Sequence, residues 1–166
     1  MVAVRSAHLN PSEQFELESW IASLNQDAKT SNKLIKVYRH CEELLKDHDQ
    51  ASLLLWRGRE MIEILVTLSM DRATLIAAQL FPVVSSGVFE REAFEEYYGK
   101  ETVKLIDGVE EMAALGQLNV TLEGSAASGQ VDNVRRMLLA MVDDFRCVVI
   151  KLAERICNLI EVKKAP

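Results

Sequence analysis

Proline and glycine are scarce, three and seven among 166 residues, so few points can interrupt regular structure. No run of about 18 apolar residues occurs, so no helix of this sequence is expected to cross a membrane. The opening MVAVRSAHLN lacks an apolar core and does not read as a signal peptide. Cysteine is limited to Cys41, Cys147 and Cys157. An odd number without a CxxC pair points to reduced thiols and a cytoplasmic protein. A basic excess is also missing. With a net charge of −6 and a pI of about 5.2, the chain carries no electrostatic footprint for direct binding of nucleic acid or an anionic membrane. There is no Gly-rich phosphate loop, no HExxH and no GxSxG, and no cofactor is indicated.

What is present is helical spacing. The length suits one domain, residues 1–166, with 49 % apolar and 27 % charged residues. Phe15, Trp20, Ile21 and Leu24 suggest a short first helix. Leu34, Val37, Tyr38, Cys41, Leu44 and Leu45 recur at i+3 and i+4 and predict a second. Ser52 is the expected cap of a third helix through Leu54, Met61, Ile64, Leu65 and Leu68. Asp71 is the expected cap of a fourth, which should stop or kink at Pro82 and Ser85-Ser86-Gly87. A short acidic, aromatic helix is expected around Glu90 to Tyr98. Gly99 separates it from one holding Val103, Ile106, Val109, Glu110 and Met112. The Gly-, Ser- and Ala-rich stretch 116–130 predicts a loop. Val131 to Val142 and Phe145 to Ile160 predict two closing helices. The expected fold is all-α, a single domain of about seven to eight helices. The chain stops at Ala165-Pro166 straight after a helical stretch, as expected of a fragment of a longer protein.

Candidate chemistry is sparse. The histidines are His8, His40 and His48; His40, Glu43 and Asp47 share one helix face, which is a solvated stripe rather than a converging metal site. Ser125 and Ser128 have no histidine nearby in sequence. On the last helix, Phe145, Val148, Val149, Leu152, Ile156, Leu159 and Ile160 form the expected buried stripe. Lys151, Glu154, Arg155 and Asn158 lie opposite. That polar face is either solvated or one wall of a pocket.

The run NVRRMLLAMVDDFRCVVIKLAERICN, Asn133 to Asn158, resembles the closing segment of the HD-type hydrolase domain of the RelA/SpoT family of alarmone enzymes. DRATLIAAQLFPVVSSG, Asp71 to Gly87, resembles the segment where active relatives carry HDxxED. MVAVRSAHLN and ASLLLWRGREMIEIL are similar to family members whose hydrolase domain is inert. The resemblance covers nearly the whole chain. It implies an HD-type helical domain, N-terminal in a longer guanosine tetra- and pentaphosphate synthetase of the stringent response. It also implies that the chemistry is lost. The family's histidine ligand falls on Arg57, its His-Asp pair on Phe81 and Pro82, and its water-orienting Glu-Asp pair on Ser85 and Ser86. Its last aspartate ligand falls on Glu154 and a nucleotide-contacting arginine on His48, while Asn158 is retained.

The hydrolases of this family use manganese to activate water, which needs imidazole and carboxylate donors. Arg57 has no lone pair to give, and Phe81 and Pro82 have no donor atom. The resemblance therefore implies no metal site and no catalytic residue here. Arg57 and Glu154 both map to ligand positions, so an ion pair between them is the expected replacement. The expected role is that of a regulatory or structural pseudo-hydrolase domain. It would act on the synthetase domain of its parent chain, which meets the ribosome through other parts. The alternative is a relic pocket, with Lys151, Arg155 and Asn158, that senses a guanine nucleotide such as GTP, GDP or the alarmone itself.

Overall fold

The structure is a computed structural model that describes residues 15–88, 94–121 and 144–164, with backbone alone for 114–121 and 164. Among these lie seven helices and no strand: α1 (Leu17–Ser23), α2 (Ala28–Leu44), α3 (Ala51–Thr67), α4 (Arg72–Ser85), α5 (Phe94–Tyr98), α6 (Lys100–Thr121) and α7 (Phe145–Lys164). The all-α expectation therefore holds. No helix among the described residues is long and apolar enough to cross a membrane.

Local chemistry starts two of the helices. Asp27 accepts from the backbone N–H of Lys29 and Thr30 and starts α2. Asp71 accepts from Thr74 N and starts α4, as its position suggested. Ser52 does not cap α3. That helix begins one residue earlier, with Gln50 at the cap position and no side-chain cap bond. At Gly99, φ is +90°, a conformation that glycine adopts without the penalty a Cβ would bring. The α5–α6 break falls there.

Helix α4 is the centre of the fold. Every residue from Thr74 to Val83 is buried, and α4 packs against α2, α3, α6 and α7. This packing explains why α4 continues through Pro82 and ends at Ser85, the second of the two places where a stop or kink is expected. Proline withholds one backbone hydrogen bond, but Leu80, Phe81 and Val83 are 0 %, 3 % and 1 % exposed. Each such side chain contributes about 1.5–3 kcal/mol by leaving water, which outweighs one missing bond. The loop expected over 116–130 is also corrected, since α6 extends to Thr121. The rest of that stretch and the helix expected over Val131 to Val142 lie outside the described residues, as do His8, Ser125 and Ser128.

One side chain in this centre is poorly matched. Gln79 is 3 % exposed, and neither its Oε1 nor its Nε2 has a hydrogen-bond partner. A buried amide left unpaired costs about 1–3 kcal/mol. Gln79→Leu, close in volume and free of polar atoms, is therefore expected to raise stability by about 1 kcal/mol. Chemical denaturation that showed the variant to be less stable would mean that the amide is satisfied in solution.

The largest departure concerns α7. Its buried residues are Cys147, Ile150, Ala153 and Cys157, not the stripe of larger apolar residues. Phe145, Leu152, Ile156 and Leu159 are 64 %, 57 %, 38 % and 69 % exposed. The helix is thus turned by roughly a third of a revolution from the expected orientation, and Val149 alone of the expected stripe packs against the core of the described residues. Small residues allow it to approach its neighbours closely. At Gly108 of α6, an added Cβ would come within 2.7 Å of Cys147 Sγ. Towards α3 and α4, Glu161 pairs with Arg57 and Lys151 lies over the Phe81 ring.

Candidate functional site

The positions expected to form the relic pocket come from α3, α4 and α7, and the fold does bring several together. Arg57, on α3, points at α7 but does not meet Glu154. Its Nε and Nη2 donate to Glu161 Oε2 at 3.1 and 2.7 Å. Both side chains are about one-third exposed. Glu154 is taken instead by Lys151, one turn earlier, whose Nζ lies 2.5 Å from Glu154 Oε2. The expected Arg57–Glu154 pair is therefore replaced by two others. The physical reason is reach: the guanidinium finds a carboxylate two turns further along the same helix, and Lys151 already neutralises Glu154.

Phe81 is buried, with Lys151 Nζ 5.5 Å from its ring centroid, a cation–π distance. Where the family resemblance led to the expectation of a lost histidine, this chain thus has an apolar ring with a lysine over it. Pro82 is buried within α4. Ser85 is the exposed last residue of that helix, and Ser86 is its C-cap, with Oγ donating to Val83 O at 2.6 Å. These two serines terminate a helix. Arg155 is exposed and Asn158 half-buried. His48 lies in the turn after α2, where Nδ1 accepts from Gln50 N. His40, expected on a solvated stripe, is half-buried and shares a hydrogen bond with Tyr98 Oη.

Two residues that the sequence did not single out belong to this locus. Glu161 holds Arg57, and its position seven residues after Glu154 was the only signal available. Glu60 is 3 % exposed on α3, and its charge reaches the Cys157 thiol. Burial pushes that thiol up to about 12, with Glu60 adding to the effect, Arg57 opposing it and Glu154 adding again. Burial likewise raises Cys41 to about 12. All three cysteines are free and buried, so they are poor nucleophiles. Among the described residues, no group of three or more His, Cys, Asp or Glu side chains is placed to share a metal ion.

A fold of packed helices with this centre has known relatives. Residues 35–166 match the HD domain. The chain belongs to the HD-domain family. It is 58 % identical over 166 residues to the GTP pyrophosphokinase of Photobacterium angustum, covering all of this chain and 22 % of that protein. It is 57 % identical over 167 residues to the GTP pyrophosphokinase of Escherichia coli K12, with the same coverage. With the GTP pyrophosphokinase of Haemophilus influenzae the identity is 46 % over 163 residues, 96 % of this chain and 22 % of that protein. This HD domain spans about a fifth of the length of the curated relatives it matches. Within it, α3, α4 and α7 carry the positions that the family resemblance assigned to chemistry. Those positions here make ion pairs, a covered ring and a helix cap.

Proposed function

We propose that this HD domain is a pseudo-hydrolase serving a GTP pyrophosphokinase of the stringent response as a regulatory and structural body. The observation that carries the reading is the occupancy of the ligand positions. Arg57 is held by Glu161, Phe81 is buried under Lys151, and Pro82 has no donor atom. Manganese needs nitrogen and oxygen donors, and this set does not fit it. The alternative, a relic pocket that senses a guanine nucleotide, is the less favoured reading, since Lys151 is paired with Glu154 and Arg57 with Glu161.

The role by contact is supported by α7. Its outward face carries Phe145, Leu152, Ile156, Leu159 and Val162, the last 73 % exposed. Contiguous exposed apolar surface of this kind marks interaction sites. The synthetase domain of the parent chain is the partner we propose, and a modest coupling of about 1–3 kcal/mol would suffice. The ribosome would be met by other parts of the parent.

The purified domain is expected to carry no stoichiometric manganese and to release no pyrophosphate from guanosine tetraphosphate with manganese added. About one manganese per chain, or measurable turnover, would refute the pseudo-hydrolase reading. In the full-length protein, Leu152→Glu with Leu159→Glu is expected to change the rate of synthesis while the domain stays folded. An unchanged rate, both basal and stimulated, would exclude regulation through this face.

A further inference from the structure

A second locus lies at the opposite end of α4. Arg72 is ten residues from Pro82, about 15 Å along a helix axis, so it is remote from the relic pocket. There a cleft of about 740 Å³ opens among α2, the first turn of α4 and the α5–α6 junction. Lys29, Lys33 and Lys36 line it from α2, Arg72 from α4 and Lys100 from α6. The lysines of α2 are spaced i, i+4 and i+7 and share one face. Alone they would be a solvated stripe. Here cations from two further helices converge on the same concavity, in a chain whose net charge is −6.

The cleft also contains two carboxylates, Asp71 and Glu101. Both are already taken. Arg146 Nη1 lies 2.7 Å from Asp71 Oδ2 and 2.8 Å from Glu101 Oε1. Lys33 Nζ donates to Tyr97 O at 2.8 Å, which anchors that ammonium at the cleft wall. Lys29, Lys36, Arg72 and Lys100 make no ion pair with the described residues. The five cleft cations and Arg146 thus outnumber Asp71, Glu101 and Asp144 by three, so the concavity keeps a net positive charge. Such a cleft concentrates anions.

We propose that this cleft binds a small molecule carrying a chain of phosphate groups. The volume lies within the usual range of small-ligand sites. Four of the five cations are lysines, whose compact ammonium groups suit phosphate oxygens as point charges. Carboxylate recognition would favour the bidentate fork of arginine. Cations on three separate helices suit several linked phosphates better than a single one. Buried Ile76 and Tyr98 supply an apolar wall. The site does not depend on the pseudo-hydrolase reading.

The test is a titration of the 166-residue chain with sodium tripolyphosphate, read by calorimetry and amide shifts. We expect saturable one-to-one binding, with shifts confined to residues 29–36, 72–76 and 98–102. Orthophosphate should bind at least about tenfold more weakly, as fewer cations engage it. The double variant Lys36→Glu, Lys100→Glu should weaken tripolyphosphate binding by at least about tenfold. Lys46→Glu, an exposed lysine outside the cleft, should leave it unchanged. If the double reversal lowers the unfolding midpoint, Lys36→Gln with Lys100→Gln should show a smaller loss in the same direction. A nucleoside triphosphate run in parallel identifies the source of the phosphates. Tighter binding than tripolyphosphate points to a nucleotide whose base meets the apolar wall, and equal binding to the phosphate chain alone; both support the site. Unsaturable binding, indifference to the reversals, or tighter binding of a glutamate-rich peptide would overturn the proposal.

Discussion

Gly58→Val is expected to destabilise the domain by about 3 kcal/mol, at the upper end for overpacking a core. Gly58 lies inside α3, where glycine costs about 1 kcal/mol relative to alanine, so its presence needs a packing reason. The reason is α4. A Cβ at residue 58 would lie 3.0 Å from the carbonyl oxygen of Gln79 and 3.5 Å from its Cα. These are backbone atoms of the central helix and cannot rotate aside. The two helices would have to separate, loosening Met61, Leu65, Leu75 and Leu80, all fully buried. Gly58→Ala should show the same sign at about 1 kcal/mol, because part of the strain is offset by improved helix propensity. Urea denaturation at neutral pH checks both. Stability equal to the parent in the valine variant would show that α3 and α4 do not approach as closely as described.

Arg146→Ala is expected to cost about 2 kcal/mol at neutral pH, less than a fully buried pair because its partners range from half-buried to exposed. The guanidinium ties three elements together. Nε and Nη2 reach Asp144 Oδ1 and Oδ2 at 2.9 and 2.7 Å, and Nη1 reaches Asp71 and Glu101. It thereby joins the start of α7 to the first turns of α4 and α6. The hydrogen bond from Arg146 is the main cause of the lowered pKa of Asp144. At Asp71 burial opposes ionisation, but hydrogen bonds from Thr74 and Arg146 prevail and its pKa is also lowered. The folded pKa of each aspartate thus lies below the ordinary 3.8. Their stabilisation is fully present above that value and is lost as the pH falls below it through the lowered folded pKa values. The parent protein should therefore lose stability in acid more steeply than Arg146→Ala. Arg146→Lys should fall between them, since an ammonium cannot reproduce the fork. Parallel denaturation curves at pH 7 and pH 3 provide the comparison. An equal acid loss in parent and variant would remove Arg146 from this role.

The sequence alone determined the helical class and most helix positions, because the spacing of Leu34, Val37, Tyr38 and Cys41, or the cap at Asp71, is local information about a 3.6-residue period. It also determined the family, and that positions 81 and 82 offer no side-chain donor atom, since no folding can give phenylalanine or proline one. Only the tertiary structure decided which carboxylate Arg57 would meet. Glu154 and Glu161 lie two turns apart on one face, and the choice depends on where α3 lands against α7. It alone decided that α7 presents Leu152 and Leu159 outward. A helix with apolar residues on one side and Cys147, Ile150, Ala153 and Cys157 on the other has two faces that can be buried, and close approach favoured the smaller side chains. Pro82 stayed within its helix because long-range packing outweighed a local penalty. The basic cleft was invisible for the same reason. Lys29, Arg72 and Lys100 are far apart in sequence, and the net charge of the chain points the other way. Only the convergence of three helices, with Arg146 drawing the acids aside, concentrates positive charge in one place.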